Sequence, residues 1–282
     1  GSSVSLAVPT SAAGDFVYEL VRVQESGIAA CANAASGSVT VRVQPLPVGN
    51  ISGDAVVCRN ASSPLIQFSG TGGIAPYTFM YRVNGGSPQS ISTTSGNAVS
   101  LPVSTQNAGS YTYTLISVQE ASGNSCLATI NASATVVVHP LPTASVSGTA
   151  TVCQNATAPL ISFTGANGTA PYLFTYRINN GTDLTISTTG NTVSIQAPTT
   201  IAGSFSYQLV SVQDASATAC QQAANGTVLI TVHPQPTKPI LSTVNNHLCN
   251  GETGVLRVSN YVAGQTYAWF KDGVMIRSTT GD

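Results

Sequence analysis

The stretch VVCRNASSPLIQFSGTGGIAPYTFMYRVNGG, Val56 to Gly86, returns as TVCQNATAPLISFTGANGTAPYLFTYRINNG, Thr151 to Gly181. The offset is 95 residues, too long for a solenoid unit and about right for one small domain. It holds along most of the chain. AGDFVYELVRVQE from Ala13 matches AGSYTYTLISVQE from Ala108 and AGSFSYQLVSVQD from Ala202. Cys31, Cys126 and Cys220 follow these in turn, and VHPLP at Val138 matches VHPQP at Val232. Four segments result: residues 1–45 as the C-terminal part of one unit, 46–140 and 141–235 as complete units, and 236–282 as the N-terminal part of a divergent one. A part-unit cannot bury its own core, so the native polypeptide is expected to continue in both directions.

The periodicity inside a unit is that of strands. Tyr172, Phe174, Tyr176 and Ile178 alternate with Leu173, Thr175 and Arg177, and Tyr77, Phe79, Tyr81 and Val83 do the same. Later, Phe205, Tyr207 and Leu209 share a face, after which Val212 falls out of phase. The same slip runs from Leu20 to Val23 and from Leu115 to Val118, which predicts a β-bulge in each copy. Val228, Ile230 and Val232 point inward from the last strand. Seven or so short strands in about 95 residues predict an all-β chain of tandem immunoglobulin-like β-sandwiches. Trp269, twenty residues after Cys249, fits the core pattern of such a domain. Pro-rich joints at Pro45–Pro47, Pro140–Pro142 and Pro234–Pro239 cannot continue a strand ladder, so the units should form an extended rod of about 40 Å per domain.

Only 7% of residues are charged and the net charge is −1, which excludes nucleic acid and an anionic membrane surface as partners. No apolar run is long enough to span a membrane. An apolar fraction of 42% in regular alternation favours folded β structure over disorder.

Six cysteines recur at matched positions, with no CxxC or Cys/His zinc spacing. Paired cysteines imply an oxidising compartment. Pairing within units gives Cys58–Cys126 and Cys153–Cys220, leaving Cys31 and Cys249 to partners outside the segment. Sequential pairing (31–58, 126–153, 220–249) uses all six but crosses every unit boundary. Within-unit pairing is preferred, although Cys153 follows a first strand and Cys220 sits in a late hairpin turn. Those two places can lie at opposite ends of a sandwich, so the bond requires a short or shifted first strand.

No catalytic, cofactor or metal constellation emerges. His139 and His233 are equivalent, but Gln44 takes their place in the first unit, which reads as a joint lining; His247 stands alone. Glu25, Glu120 and Asp214 precede the Cys-bearing turn without a second acid, and read as caps on turn N–H groups ahead of calcium ligands. GTGGIAPY and GANGTAPY lack the Lys-Ser/Thr of a phosphate loop and read as turns. Of seven Asn-x-Ser/Thr sequons, at Asn50, Asn60, Asn131, Asn155, Asn167, Asn180 and Asn225, many are explained by chance and turn chemistry.

The combination C-x-N-A-x-x-P-L-I-x-F-x-G, APY-x-F-x-Y, AG-x-Y-x-Y-x-L, SVQ[ED], Cys and V-H-P-x-P, spread over residues 1–235, resembles the tandem Ig-like/PKD-like repeats of giant Bacteroidetes surface proteins, the SprB-type gliding-motility adhesins. LCNGETGVLRV and YAWFKDG in the last segment resemble other Ig-like domains of such secreted proteins. The resemblance implies a non-catalytic stalk in a cell-surface filament, exported by type IX secretion. It implies attachment to a substratum or extracellular polysaccharide, with the outer-membrane gliding and secretion machinery engaged through other parts of the chain. The competing reading is a carbohydrate-binding or spacer module of a secreted polysaccharide-degrading enzyme, which would need exposed aromatic side chains.

Overall fold

The computed structural model describes residues 3–280. Its regular structure is all strand, and two hydrophobic cores stand out. One is built from residues between Ile51 and Val138, the other from residues between Ile161 and Val232.

Each core lies between two sheets. In the first sandwich, Val48–Ser52, Leu65–Thr71 and Ala98–Pro102 form a three-stranded sheet with Leu65–Thr71 in the middle. Opposite it run Ala55–Cys58, Leu127–His139, Gly109–Gln119, Thr78–Val83 and Gln89–Ser92, in that spatial order. The second sandwich repeats the plan. Thr143–Ser147, Leu160–Ala166 and Thr192–Gln196 face Ala150–Cys153, Thr227–His233, Gly203–Gln213, Leu173–Ile178 and Leu184–Ser187. Two sheets joined by crossing connections are the immunoglobulin-like arrangement expected from the sequence.

The first strand of each sandwich changes sheets. Val48–Ser52 pairs antiparallel with Leu65–Thr71; after Gly53, at φ 116°, the chain crosses and Ala55–Cys58 pairs parallel with Val136–His139. Gly148, at φ 119°, makes the same crossing between Ser147 and Ala150. That backbone conformation is strained for any residue with a Cβ, so glycine permits the switch.

The aromatic alternation is the core. Tyr77, Phe79 and Tyr81 are 1%, 0% and 5% exposed, while Met80 between them lies on the outer face at 41%. Phe68 sits 5.8 Å from Phe79 and 5.1 Å from Tyr81, and Phe163 repeats both distances to Phe174 and Tyr176. Such pairs add about 0.5–1.5 kcal/mol each beyond their burial. The bulges fall where the phase slip puts them. Pairing skips from Leu115 to Ser117 in one sandwich and from Leu209 to Ser211 in the other. Leu115 and Val118, like Leu209 and Val212, thereby all reach the core. Nearer the N-terminus the corresponding break separates Gly14–Glu19 from Arg22–Gln24.

Among the described residues the flanking segments show no such core. Val17, Leu20 and Val23 are exposed around the Gly14–Glu19 and Ser38–Val43 pair. Beyond residue 236, Leu241–Thr243 pairs with Leu256–Val258, and Thr266–Lys271 with Val274–Thr280. An open cavity of about 490 Å³ is lined by Leu241, Leu256, Val258, Tyr267 and Trp269. Trp269 is half-buried there and donates from Nε1 to the Thr279 hydroxyl at 2.9 Å.

Replacing Phe174 by alanine should lower the stability of the second sandwich by about 3–5 kcal/mol in chemical denaturation. Met80→Ala, on an outer face, should move the first by no more than about 0.5 kcal/mol.

Candidate functional site

The two cysteines of each repeat lie at opposite ends of the sandwich. Cys58 pairs with His139 at the last position of the final strand, and Cys153 pairs with His233 in the same way; this is the C-terminal pole. Cys126 and Cys220 sit in the turn after Gln119 and Gln213, at the N-terminal pole. The strand between the poles, Gly203–Gln213, has 11 residues. At about 3.3 Å per residue it separates the two levels by roughly 35 Å. A disulfide tolerates a Cα–Cα distance of only about 4.4–6.8 Å.

The bond that forms therefore crosses the joint. Cys58, at the C-terminal pole of the first sandwich, is bonded to Cys220, at the N-terminal pole of the second, with S–S 2.05 Å and Cα–Cα 5.6 Å. This corrects both pairings expected from the sequence. Cys58–Cys126 and Cys153–Cys220 fail because the parallel register of the first strand carries its cysteine to the far pole. Sequential pairing fails because it needs Cys58 for Cys31 and Cys220 for Cys249, and those two are bonded to each other. Cys31, Cys126, Cys153 and Cys249 carry no disulfide. The closed loop has a sequence separation of 162 residues. On the chain-entropy model a loop of that size removes on the order of 5 kcal/mol of freedom from the unfolded ensemble.

A polar relay holds the cysteine turn. The Thr218 hydroxyl lies 3.3 Å from Cys58 Sγ and 3.2 Å from Cys220 Sγ. A disulfide sulfur has no proton, so the hydroxyl is the donor. Ser216 Oγ, 3.5 Å from Thr218 Oγ1, donates to Asp214 Oδ1 at 2.7 Å. Asp214 Oδ2 accepts the Thr169 N–H at 3.0 Å, so one carboxylate ties the cysteine turn to the loop between Ala166 and Leu173. Glu120 does the same in the first sandwich. It accepts from the N–H groups of Ile74, Ser122 and Cys126 and from the Ser122 hydroxyl. The capping reading of these acids is correct, but their reach across the pole to Ile74 and Thr169 was not visible in the sequence. Glu25 donates its N–H to the Cys31 carbonyl as Glu120 does to Cys126, but its carboxylate caps no turn among the described residues.

These donors act on the acids. The Ser122 hydroxyl, helped by three backbone N–H groups, outweighs burial and holds the Glu120 carboxyl at about 2. Burial raises Asp214, but the Ser216 hydroxyl and the N–H groups of Thr169, Ser216 and Cys220 together bring it below its ordinary value.

A tyrosine completes the pole. The Tyr77 hydroxyl donates to the Gly73 carbonyl at 2.8 Å and accepts the Gly73 N–H at 3.1 Å, and Tyr172 repeats this on Gly168. A Cβ on Gly70 would meet the Tyr77 ring at 2.7 Å, and one on Gly168 would meet Asp214 at 2.8 Å and Pro142 at 3.1 Å. The glycine-rich stretches are turns clamped by tyrosine, and their glycines leave room for the ring and the acid.

The other candidates disperse. His139 is half-buried beside Cys58, and His233 is exposed in the equivalent place. Asn60, Asn155, Asn167 and Asn180 have positive φ, the turn chemistry expected of those four sequons. Among the described residues no group of three or more His, Cys, Asp or Glu could hold a metal ion, and no helix is long and apolar enough to cross a membrane.

No family model and no curated protein matches the chain. Among solved structures it is similar to a Ca2+-stabilized adhesin with which an Antarctic bacterium binds ice, at 17% identity and TM-score 0.42, over 81% of this chain and 59% of that one. It is similar to a 1.5-MDa bacterial ice-binding adhesin, at 16% identity and TM-score 0.40, over 84% of each chain. Titin domains I67–I69 show 14% identity and TM-score 0.45, over 84% of this chain and 83% of theirs. The immunoglobulin-like assignment rests on the strand order described above.

The Glu120 shift predicts a pH dependence with a definite sign. Its carboxyl titrates near 2 when folded and near the ordinary 4.5 when unfolded. The stabilisation is therefore complete above pH 4.5 and lost as pH falls from there towards 2. Thermal melts of the first sandwich should be flat above pH 5 and drop below it. Glu120→Gln should melt lower at neutral pH and lose most of that drop; an unchanged pH profile would show that the carboxylate does not hold the pole.

Proposed function

We propose that the chain is a stalk segment of a giant cell-surface adhesin filament, used for surface attachment and gliding motility, and that it is non-catalytic. The observation that carries this reading is the covalent joint: two sandwiches with the same plan, bonded from the C-terminal pole of one to the N-terminal pole of the next. A disulfide across a joint adds no ligand site. It suits a protein that transmits load outside the cell, where thiols oxidise. The unit boundaries 46–140 and 141–235 belong to this reading, with 1–45 and 236–282 as parts of further units. The motif resemblance supports the SprB-type assignment, type IX secretion and contact with gliding machinery through other parts of the chain. Substratum or extracellular polysaccharide is the expected partner.

The carbohydrate-module reading draws no support from the aromatic rows. Tyr77, Phe79, Tyr172 and Phe174 are buried in their cores, so their faces are closed to a sugar ring.

A labelled antibody against residues 46–235 on living cells tests the reading. The label should travel along the cell surface and stop when the proton gradient is collapsed. A label that stays fixed removes the motility assignment and leaves a static adhesin or scaffold. Single-molecule pulling tests the stalk separately. Under reducing conditions the two sandwiches should unfold in equal steps of about 290 Å, the extended length of one repeat less its folded length. Without reductant, the 162-residue separation between Cys58 and Cys220 should stay locked, hiding roughly 570 Å of extension. Irregular steps in reductant would sink the stalk model.

A further inference from the structure

Cys126 and Cys153 share the backbone setting of the bonded pair, although Asn124 stands at the Cys126 turn where Thr218 touches both sulfurs of the cystine. Cys153 ends its strand opposite His233 as Cys58 ends its strand opposite His139. Asn155, two residues on, repeats the positive φ of Asn60, and its N–H donates to the Thr199 carbonyl as that of Asn60 does to Thr105. Cys126 follows the Glu120 cap as Cys220 follows Asp214. The Glu120 N–H donates to the Cys126 carbonyl as the Asp214 N–H does to that of Cys220. Each sandwich thus carries one strand-type cysteine at its C-terminal pole and one turn-type cysteine at its N-terminal pole. The bond seen between them joins strand-type to turn-type across one joint.

We infer that Cys153 and Cys126 are bonding sites for neighbouring copies of the repeat. Cys153 takes the turn-type cysteine of a copy that follows, and Cys126 takes the strand-type cysteine of a copy that precedes. Each sandwich is then bonded to both neighbours and never to itself. Each bond forms by loss of two S–H bonds and gain of one S–S bond. The two protons and two electrons pass to a thiol oxidant, the disulfide of an oxidoreductase or of oxidised glutathione, which leaves as the dithiol or as two thiols. Both cysteines reach their partners: Cys153 is exposed and Cys126 half-buried.

The occupant is a copy of this repeat because its pole supplies what the observed joint uses. A Pro-rich linker, Pro140–Pro142, brings the following unit's N-terminal pole to the preceding unit's last strand, and Pro142 packs on Gly168 beside Asp214. Pro47 is buried in the same position at the pole that holds Cys126. The pole of the first sandwich is therefore shaped to receive a preceding unit through the same linker.

The test inserts a second copy of residues 46–234 between Pro234 and Gln235 of the full chain. The protein is folded in mixed reduced and oxidised glutathione and mapped without reduction by peptide mass spectrometry. The unmodified chain should yield one cystine, Cys58–Cys220, with Cys126 and Cys153 alkylated as thiols. The extended chain should yield a new cystine joining a Cys153 peptide to a Cys126 peptide, alongside Cys58–Cys220 from both copies. Cys126→Ser in the inserted copy alone should abolish the new cystine and leave the others. A shorter insertion, one further copy of residues 141–234, moves the test to Cys153 and the added Cys220, should the longer chain fail to fold. In the extended chain, Cys58–Cys220 without any cystine between a Cys153 and a Cys126 peptide, or in either chain a Cys58–Cys126 cystine, would overturn the inference.

Discussion

The crossing of the first strand between sheets governs most of what is distinctive here. Had the strand stayed with Leu65–Thr71, its cysteine would have lain elsewhere. The turn at Gly53 instead sends Ala55–Cys58 parallel to Val136–His139, and the cysteine finishes beside the last residue of the final strand. Parallel pairing makes first and last strands end at the same pole, so the exit of the chain and the bonding thiol coincide. The linker and the cystine then meet the next sandwich together.

The opposite pole is organised by polar groups. Glu120 and Asp214 are 4% and 5% exposed, and a buried carboxylate is tolerable only when donors converge on it. Here the donors come from two loops at once, so satisfying the acid also fixes the distance between those loops. The tyrosine hydroxyl on Gly73 or Gly168 braces one of them from the core side. The cysteine turn is thus held in place by its own unit before any partner arrives, which lowers the entropy to be lost in closing the joint.

The sheets were legible in the sequence because their signals are local. Alternation around Phe79 and Phe174 gave the inward face, and the slip between Leu115 and Val118 gave the bulge. The cystine was not legible, because its geometry depends on which end of a sandwich each cysteine occupies. That follows from the strand crossing at Gly53 and Gly148, and a glycine in a strand has several structural meanings. The difficulty with pairing a first-strand cysteine to one in a late hairpin was visible; its solution lay in the next unit. The roles of Glu120 and Asp214 were half legible. A single acid before a turn reads as a cap, but the second loop it holds lies 46 residues away at Ile74 in one case and 45 at Thr169 in the other.

The cystine also reroutes tension. In an ordinary string of sandwiches, force leaves one unit through its last strand, passes through the linker and enters the next by its first strand, shearing the two terminal strands against the rest. Here a pull arriving at Cys58 crosses directly to Cys220. Leu127–His139, the linker, and Thr143–Ser147 with Ala150–Cys153 lie on a slack branch in parallel with that bond. The last strand of the first unit and the first strands of the second are spared, and the joint resists through a sulfur–sulfur bond rather than through hydrogen bonds that peel in sequence. A reductant in the surroundings would thus soften the joint, making its compliance a property of the medium as well as of the chain.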